Sequence, residues 1–170
     1  LEFASTATAL TSSSLLNLNS WYHVAISRSG NNYAMYINGI SEATSTSSSA
    51  ATDSATVLEI GRNNQNSSNL FNGYISNLRI LKGTAQYTAN FTPSTTALTS
   101  VANTSLLTCQ STTIQDNSAN NFTITANGDA RPTALNPFGV TTTTGVAYSP
   151  TTHGGSAYFD GTGDYLSVDR

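Results

Sequence analysis

The chain has little charge of either sign. Of its 170 residues, six are Lys or Arg and nine are Asp or Glu, which makes 9% charged residues, against about a quarter in typical soluble proteins. The basic residues are scattered: Arg28, Arg62, Arg79, Lys82, Arg131 and Arg170. Because nucleic-acid binding needs clustered basic side chains, we expect no nucleic-acid partner.

Cysteine and long apolar runs are also scarce. The one cysteine, Cys109, excludes an intrachain disulfide, and the apolar pattern TSLLTCQS around it predicts a small buried residue rather than a reactive thiol. No apolar run approaches the roughly 20 residues of a membrane helix. The first residues, LEFASTATAL, lack the basic start and apolar stretch of a signal peptide. We therefore expect no membrane insertion.

Hydroxyl and amide side chains supply the polarity instead. The sequence contains 24 Ser, 27 Thr and 18 Asn. Such a surface offers many hydrogen bonds without strong electric fields.

The segment 21–39, WYHVAISRSGNNYAMYING, predicts two neighbouring β-strands. Its side chains alternate between two faces, as they do in a strand. Ser29-Gly30-Asn31 and Asn38-Gly39 carry the residues that tight turns favour, because Gly and Asn tolerate positive φ. The segment therefore indicates an all-β architecture.

The remaining sequence predicts further short strands separated by polar loops. We expect a loop at 41–56, a strand at 57–63, a loop at 63–72, a strand at 73–83, a connector with two aromatic anchors at 84–93, strands at 104–111 and 121–128, an extended segment at 131–155 and a hairpin-like pair at 156–168. Many short strands with turn signals between them predict an antiparallel β-sandwich or jelly roll.

Two stretches resemble a known family. The first is the 21–39 segment, with its Trp-x-His-Val-Ala strand and Asn-Gly turn. The second is IGRNNQNSSNLFNGYISNLRILKGTAQYTANFTP at 60–93. Together they resemble the laminin-G-like, concanavalin A-like lectin/glucanase superfamily, in the form repeated in phage tail-fibre and virion structural proteins. The resemblance implies an all-β, concanavalin A-like jelly roll.

The rest of the chain resembles the opposite end of the same module. TSLLTCQS, DNSANNFTITANGDA and GGSAYFDGTGDYLSV are similar to the family's N-terminal half, yet here they follow the C-terminal half. The resemblance therefore implies that 1–98 is the C-terminal part of one module and 99–170 the N-terminal part of the next. Two arrangements stay open: the halves close on each other as a circular permutant, or each is completed by a neighbouring subunit.

Catalytic chemistry has little support in the sequence. Glycosidases use paired carboxylates, whereas Glu2, Glu42 and Glu59 are isolated. With His23 and His153 as the only imidazoles, a Ser-His-Asp triad is also disfavoured. We predict that the chain is not an enzyme and has no catalytic residues, that His23 is structural, and that His153 is a solvated loop residue.

Metal binding has two candidate residues. Asp160 and Asp164 flank a Gly-Thr-Gly turn and could converge on Ca²⁺, a cation that prefers oxygen ligands. The alternative is that each carboxylate caps turn amides, as Asp readily does, and Asp116 in QDNSANN has the same two interpretations. We predict no cofactor, with calcium as the alternative at Asp160 and Asp164.

Sugar binding would use exposed aromatic rings with Asn, Ser or Thr hydrogen bonds. The eight tyrosines supply the rings, but core or cross-strand packing explains each of them better than sugar binding does, and the Asn-rich loop 63–72 is the better candidate for a rim. No ligand-binding residue can be chosen from these patterns.

The combined prediction is a non-enzymatic structural module of an extracellular or virion fibre, assembling head to tail through β-sandwich modules. The alternative is a carbohydrate-binding adhesion module for host-surface recognition. We expect the partners to be other copies or neighbouring modules, with cell-surface glycans as a further class.

Overall fold

A computed structural model describes residues 2–4, 9–49, 57–63, 66–139 and 154–169. These residues form antiparallel strands and no helix, which confirms the predicted all-β class. None of them belongs to a helix that could cross a membrane. The chain divides into two compact units, one of Leu1–Ser54 with Gly83–Pro93 and one of Ala55–Lys82 with Ser94–Arg170.

The first unit is a hairpin and a three-stranded sheet. Its strands are β1 (Glu2–Ala4), β2 (Ala9–Thr11), β3 (Val24–Ser29), β4 (Asn32–Ile37) and β5 (Ile40–Thr46). β1 pairs with β2, and the other three form a sheet in the order β3-β4-β5. Turns at Gly30-Asn31 and Asn38-Gly39 join them, as the sequence predicted, although β3 begins at Val24 rather than Trp21.

The predicted loop at 41–56 is wrong in its first part. Residues up to Thr46 form β5, which pairs with β4 through Met35–Ala43 and Ala34–Thr44. The stretch lacks apolar alternation and is rich in Ser, so its composition does not mark a strand, but the neighbouring strand supplies the backbone partners that local composition cannot reveal. Residues 50–56 lie outside the described part.

Both faces of this sheet are covered over β4. On one face, Leu10 packs against Tyr33 and Met35. On the other, the Tyr36 ring lies edge-on to Tyr87 and Phe91, with centroids 6.4 and 5.5 Å away. The two aromatic anchors predicted in the connector 84–93 are thereby confirmed.

Ten strands are described in the second unit. They are β6 (Leu58–Ile60), β7 (Arg62–Asn63), β8 (Asn66–Leu70), β9 (Asn72–Ile75), β10 (Leu78–Leu81), β11 (Thr104–Thr108), β12 (Thr123–Asn127), β13 (Arg131–Thr133), β14 (Ser156–Asp160) and β15 (Tyr165–Asp169). They form two three-stranded sheets, β12-β15-β6 and β13-β14-β9, and the pairs β10-β11 and β7-β8. The core between them includes Ile60, Leu106, Phe159, Leu166 and Val168.

Two further sequence predictions need correction. The predicted loop at 63–72 contains β8, which pairs with β7. The predicted strand at 73–83 is broken into β9 and β10, because Asn77 has a φ of 56° and its N–H donates to the Cys109 carbonyl, in register with the β10–β11 pair rather than with the β9–β14 pair.

The predicted hairpin at 156–168 is also wrong. β14 pairs with β13 and β9, whereas β15 pairs with β12 and β6, so the turn at 161–163 crosses from one sheet to the other. Sequence neighbours usually pair, and the alternation alone cannot distinguish a hairpin from such a crossing.

The predicted boundary at residue 98 falls inside the second unit. β6, β9 and β10 precede it, and they pair with β15, β14 and β11, which follow it. The assignment of 1–98 and 99–170 to two successive modules stays a prediction.

Candidate functional site

The turn between β14 and β15 gathers three carboxylates. Asp160 ends β14, Asp164 precedes β15, and Asp129 follows β12. One oxygen of each lies within 4.8 Å of one oxygen of the other two. Asp129 joins this group because β12 pairs with β15, a long-range pairing that the sequence did not reveal.

Asp164 is the buried member of this carboxylate cluster, with 0% of its surface exposed. Its Oδ1 accepts a hydrogen bond from the Asp129 N–H, and its Oδ2 accepts one from the Asp160 N–H, both at 2.8 Å. Asp160 in turn accepts a bond from the Thr162 N–H. The carboxylates therefore cap the backbone of two turns, which is the capping role that the sequence left open.

The electrostatics of the cluster follow from these contacts. Burial alone raises the pKa of Asp164, but the N–H donors of Asp160 and Asp129 bring that pKa below its usual value. The hydrogen bond to Asp164 raises the pKa of Asp129, opposed by the guanidinium of Arg131, which lies 3.3 Å from Asp129 Oδ2. The oxygens suit a hard cation, although both oxygens of Asp164 already accept N–H bonds. The prediction of no cofactor, with calcium as the alternative at Asp160 and Asp164, stays a prediction.

Asp116 occupies a similar buried turn. Its Oδ1 accepts hydrogen bonds from the N–H groups of Leu107 and Ser118, and its Oδ2 accepts one from the N–H of Phe122. Burial raises the pKa of Asp116, but these donors together lower it by more, so the net pKa lies below the usual value. Asp116 fixes the chain between β11 and β12.

Of the two histidines, His23 lies in the described part of the chain and His153 does not. His23 lies edge-on to Tyr87 and Phe91, with ring centroids 6.1 and 5.3 Å away, and its backbone N–H donates to Asn38 Oδ1. These contacts fit the predicted structural role. His153 lies outside the described residues, so its predicted loop position stays a prediction.

A row of side chains crosses the sheet β13-β14-β9. Arg131, Tyr158 and Tyr74 lie directly opposite one another in register. The guanidinium of Arg131 lies 4.5 Å from the Tyr158 ring centroid, and the two tyrosine rings are 5.0 Å apart. Tyr74 is 39% exposed, whereas Ala157 and Phe159, on the other face of β14, are fully buried. This tyrosine row is therefore on the solvent side of its sheet.

A comparison with family models identifies the chain. The model for laminin G-type domains, described as the concanavalin A-like lectin/glucanases superfamily, matches residues 2–88. This chain belongs to the concanavalin A-like lectin/glucanases superfamily. No curated protein and no solved structure matches it with significant similarity.

In this superfamily member, the match runs from β1 to the connector after β10, so β11–β15 lie beyond it. Three of those later strands nevertheless pair with β6, β9 and β10. The family match and the strand pairing together make the chain a β-sandwich module.

The first unit of the superfamily member carries a shallow groove of about 570 Å³. It runs between the β4–β5 face and residues 88–90, and its lining is rich in hydroxyl and amide groups. Tyr33 and Tyr36 also line it, but they are 5% and 2% exposed. The groove can therefore hydrogen-bond a ligand but presents no aromatic face for stacking.

Three further chemistry-bearing side chains of the described residues, Glu42, Glu59 and Cys109, lie in structural environments. Glu42 accepts hydrogen bonds from Ser13, Ser14 and the Ser14 N–H, which lower its pKa. Glu59 pairs with Arg62, which lowers the pKa of Glu59. Burial raises the pKa of Cys109 to about 11, as expected for an unreactive thiol. That the chain is not an enzyme stays a prediction.

Proposed function

We propose that the chain is a non-enzymatic structural module of an extracellular or virion fibre, in which β-sandwich modules follow one another head to tail. The observation that supports this proposal is strand pairing across residue 98. β6, β9 and β10 precede that residue and lie beside β15, β14 and β11, which follow it.

Side chains reinforce this pairing. The Phe71 and Phe159 rings meet edge to face at 6.1 Å, and Asn72 Nδ2 donates to the Asp160 carbonyl. The Phe159 ring also packs closely against Gly61, where a Cβ would lie only 2.6 Å from the ring. If 1–98 and 99–170 belong to successive modules, the end of one module would interlock with the start of the next, and a pulling force would load hydrogen-bonded strands rather than a flexible linker.

Composition supports an exposed, extended assembly. Low charge with many hydroxyl and amide groups gives a surface that stays hydrated without strong electrostatic attraction to other macromolecules. Such a surface suits a fibre outside the cell or on a virion, which is exposed to solvent along its whole length.

The test is to cut the chain between residues 98 and 99. We expect the two pieces to co-purify in equal amounts and to regain the circular-dichroism spectrum of the intact chain, while each alone aggregates because its sheets lack partners. In electron micrographs, proteins made of tandem copies of the intact chain should also increase in length by a constant increment for each added copy. Two pieces that fold separately and do not bind each other would contradict the interlocked arrangement.

The second candidate is a carbohydrate-binding adhesion module, and the tyrosine row favours it. Aromatic rings on a rigid, solvent-facing sheet can stack on the apolar face of a sugar, while Arg131 and the nearby Asp160 can bond its hydroxyls. The row offers a stacking face, which the groove of the first unit does not.

A glycan array distinguishes the two candidates. If the row binds sugar, Tyr74→Ala should lose binding, whereas Tyr74→Phe, which keeps the ring, should retain most of it. Binding without lengthening of tandem copies would favour adhesion; lengthening without binding would favour the structural module.

A further inference from the structure

The outer edge of β3 has unused backbone groups. β3 lies at the end of the sheet β3-β4-β5, and its register with β4 starts at Ser29–Asn32, next to the two-residue turn Gly30-Asn31. At the other end, the Asn38 N–H donates to the His23 carbonyl. Because hydrogen-bonded positions alternate along an antiparallel pair, odd-numbered residues of β3 face β4. The N–H and C=O groups of Val24, Ile26 and Arg28 therefore point away from the sheet, and none makes a backbone hydrogen bond to another described residue.

Apolar side chains continue to this edge. Val24 and Ile26 are 45% and 38% exposed, although their β4 neighbours Ile37 and Met35 are buried. The preceding loop adds Leu15 and Leu18, both about nine-tenths exposed, and Asn17 holds that loop to Tyr22 through a hydrogen bond. The edge thus combines open hydrogen-bonding groups with an uncovered apolar strip.

The usual protections of an edge strand are weak here. Natural edges carry Lys, Pro or a bulge, whereas β3 pairs without a register shift and has neither Lys nor Pro. Its one charge is Arg28, whose guanidinium lies 5.0 Å from the Tyr33 ring and donates to the carbonyls of Gly30 and Ser49. That charge sits at one end and leaves Val24 and Ile26 unguarded.

We propose that β3 pairs with β3 of a second copy of this chain, antiparallel, about a two-fold axis at Ala25. In this register Val24 of each copy comes opposite Ile26 of the other, and Arg28 comes opposite Tyr22. An axis at Ile26 would place Val24 opposite Arg28, and an axis at Ser27 would place Ile26 opposite Arg28. The axis at Ala25 is the one among these three that pairs the apolar residues with each other and keeps both charges at the ends.

A buried hydroxyl agrees with this register. Ser27 is 9% exposed, and its Oγ has no hydrogen-bond partner among the described residues. Buried polar groups without partners are rare because they cost free energy. Pairing about Ala25 brings Ser27 opposite His23 of the second copy, at a non-hydrogen-bonded position where side chains approach most closely. Ser27 Oγ is covered within one chain, so a change of the Ser27 rotamer has to turn it toward the imidazole, which can accept or donate a hydrogen bond.

This contact differs from the head-to-tail arrangement proposed above. A two-fold interface uses the same surface on both copies and closes after two. It would therefore join two modules, or two fibres, side by side, and it does not depend on whether the module boundary lies at residue 98.

Sedimentation of the intact chain between about 1 and about 100 µM tests the proposal. We expect a concentration-dependent dimer that Ile26→Lys converts to a monomer with an unchanged circular-dichroism spectrum. Val101→Lys, which places the same charge at another exposed apolar residue in a turn, should leave the dimer intact. A monomer throughout the range, open polymers, or a dimer that survives Ile26→Lys would overturn the proposal.

Cross-linking tests the register. Ala25→Cys should form an intermolecular disulfide with itself under mild oxidation, because the axis brings the two residues together. Ser29→Cys should not, since the two copies of this residue lie at opposite ends of the paired strands. Cys109 is buried and gives no background in the unaltered chain. Cross-linking through Ser29→Cys in place of Ala25→Cys would rule out the axis at Ala25. The result of cutting the chain between residues 98 and 99 does not depend on whether the β3 dimer forms, so the two proposals can fail separately.

Discussion

Single carboxylates hold the turns of the second unit. Asp116 and Asp164 are both almost completely buried. Asp116 accepts hydrogen bonds from backbone N–H groups nine and six residues away, and Asp164 accepts one from an N–H group 35 residues away. The sequence predicted that Asp116 and Asp164 could cap turns, because Asp precedes or follows Asn and Gly there. It could not predict which remote N–H groups they accept, since those depend on strand pairing.

Asp116→Ala is expected to destabilise the chain by about 3 kcal/mol, because it leaves three buried N–H groups without an acceptor. Urea denaturation followed by circular dichroism measures the change. Asp169→Ala, at an exposed carboxylate at the end of β15, is the matched control and should cost less than about 0.5 kcal/mol. Equal effects of the two substitutions would contradict the capping role.

Stability should decrease in acid. Asp116 and Asp164 have a folded pKa below the unfolded one, so their contribution is present above the unfolded pKa and is lost as pH falls through the folded pKa. Asp129, whose folded pKa is raised, has the opposite sign: its contribution is lost as pH rises. Glu42 and Glu59 also have lowered pKa values, so four carboxylates stand against one, and we expect the free energy of unfolding to fall between about pH 5 and about pH 2. Denaturation midpoints across this range measure it, and Asp116→Asn should flatten the slope.

At the scale of the element, the turn between β4 and β5 positions the connector at 84–93. Gly39 has a φ of 81°, and the Phe91 N–H donates to its carbonyl. The Phe91 carbonyl lies so close that a Cβ on Gly39 would be 1.9 Å from it. The Asn-Gly signal in the sequence predicted the turn, but it gave no indication of this close approach by a distant segment.

Gly39→Ala is therefore expected to cost more than about 3 kcal/mol, because strain at positive φ adds to a backbone clash. Gly30→Ala is the matched control: Gly30 also has a positive φ, of 59°, but a Cβ there would meet nothing within 4 Å. It should cost about 1–2 kcal/mol. Thermal unfolding of both variants measures the difference, and similar losses would mean that the clash with Phe91 relaxes easily.

The turn between β14 and β15 predicts the same melting temperature in calcium and in EDTA, because both carboxylate oxygens of Asp164 already accept hydrogen bonds from backbone N–H groups. Differential scanning calorimetry measures it. A calcium-dependent rise that Asp160→Ala abolishes and Asp169→Ala preserves would instead place an ion at the carboxylate cluster.

At the scale of the whole molecule, the sequence predicted the strands with apolar alternation and, through its motifs, the family. β3, β4 and β12 alternate, β11 is a short apolar run, and all four were anticipated. β5 and β8 were missed because Ser, Thr and Asn dominate them, so their strand state depends on a neighbour rather than on composition. The separation of β14 and β15 into two sheets could not be predicted, since alternation is the same whichever partner a strand has.

The pairing of β6 with β15 also has a consequence for synthesis of the chain. Ile60 lies opposite Leu166, so β6 leaves the ribosome roughly a hundred residues before its neighbour, which at about 5–20 residues per second is a delay on the order of 10 seconds. During that interval its apolar side chains and backbone groups have no native partner. A nascent chain rich in hydroxyl and amide groups is less prone to aggregate during this interval than an apolar one. A chaperone would be most useful before β15 has been synthesised.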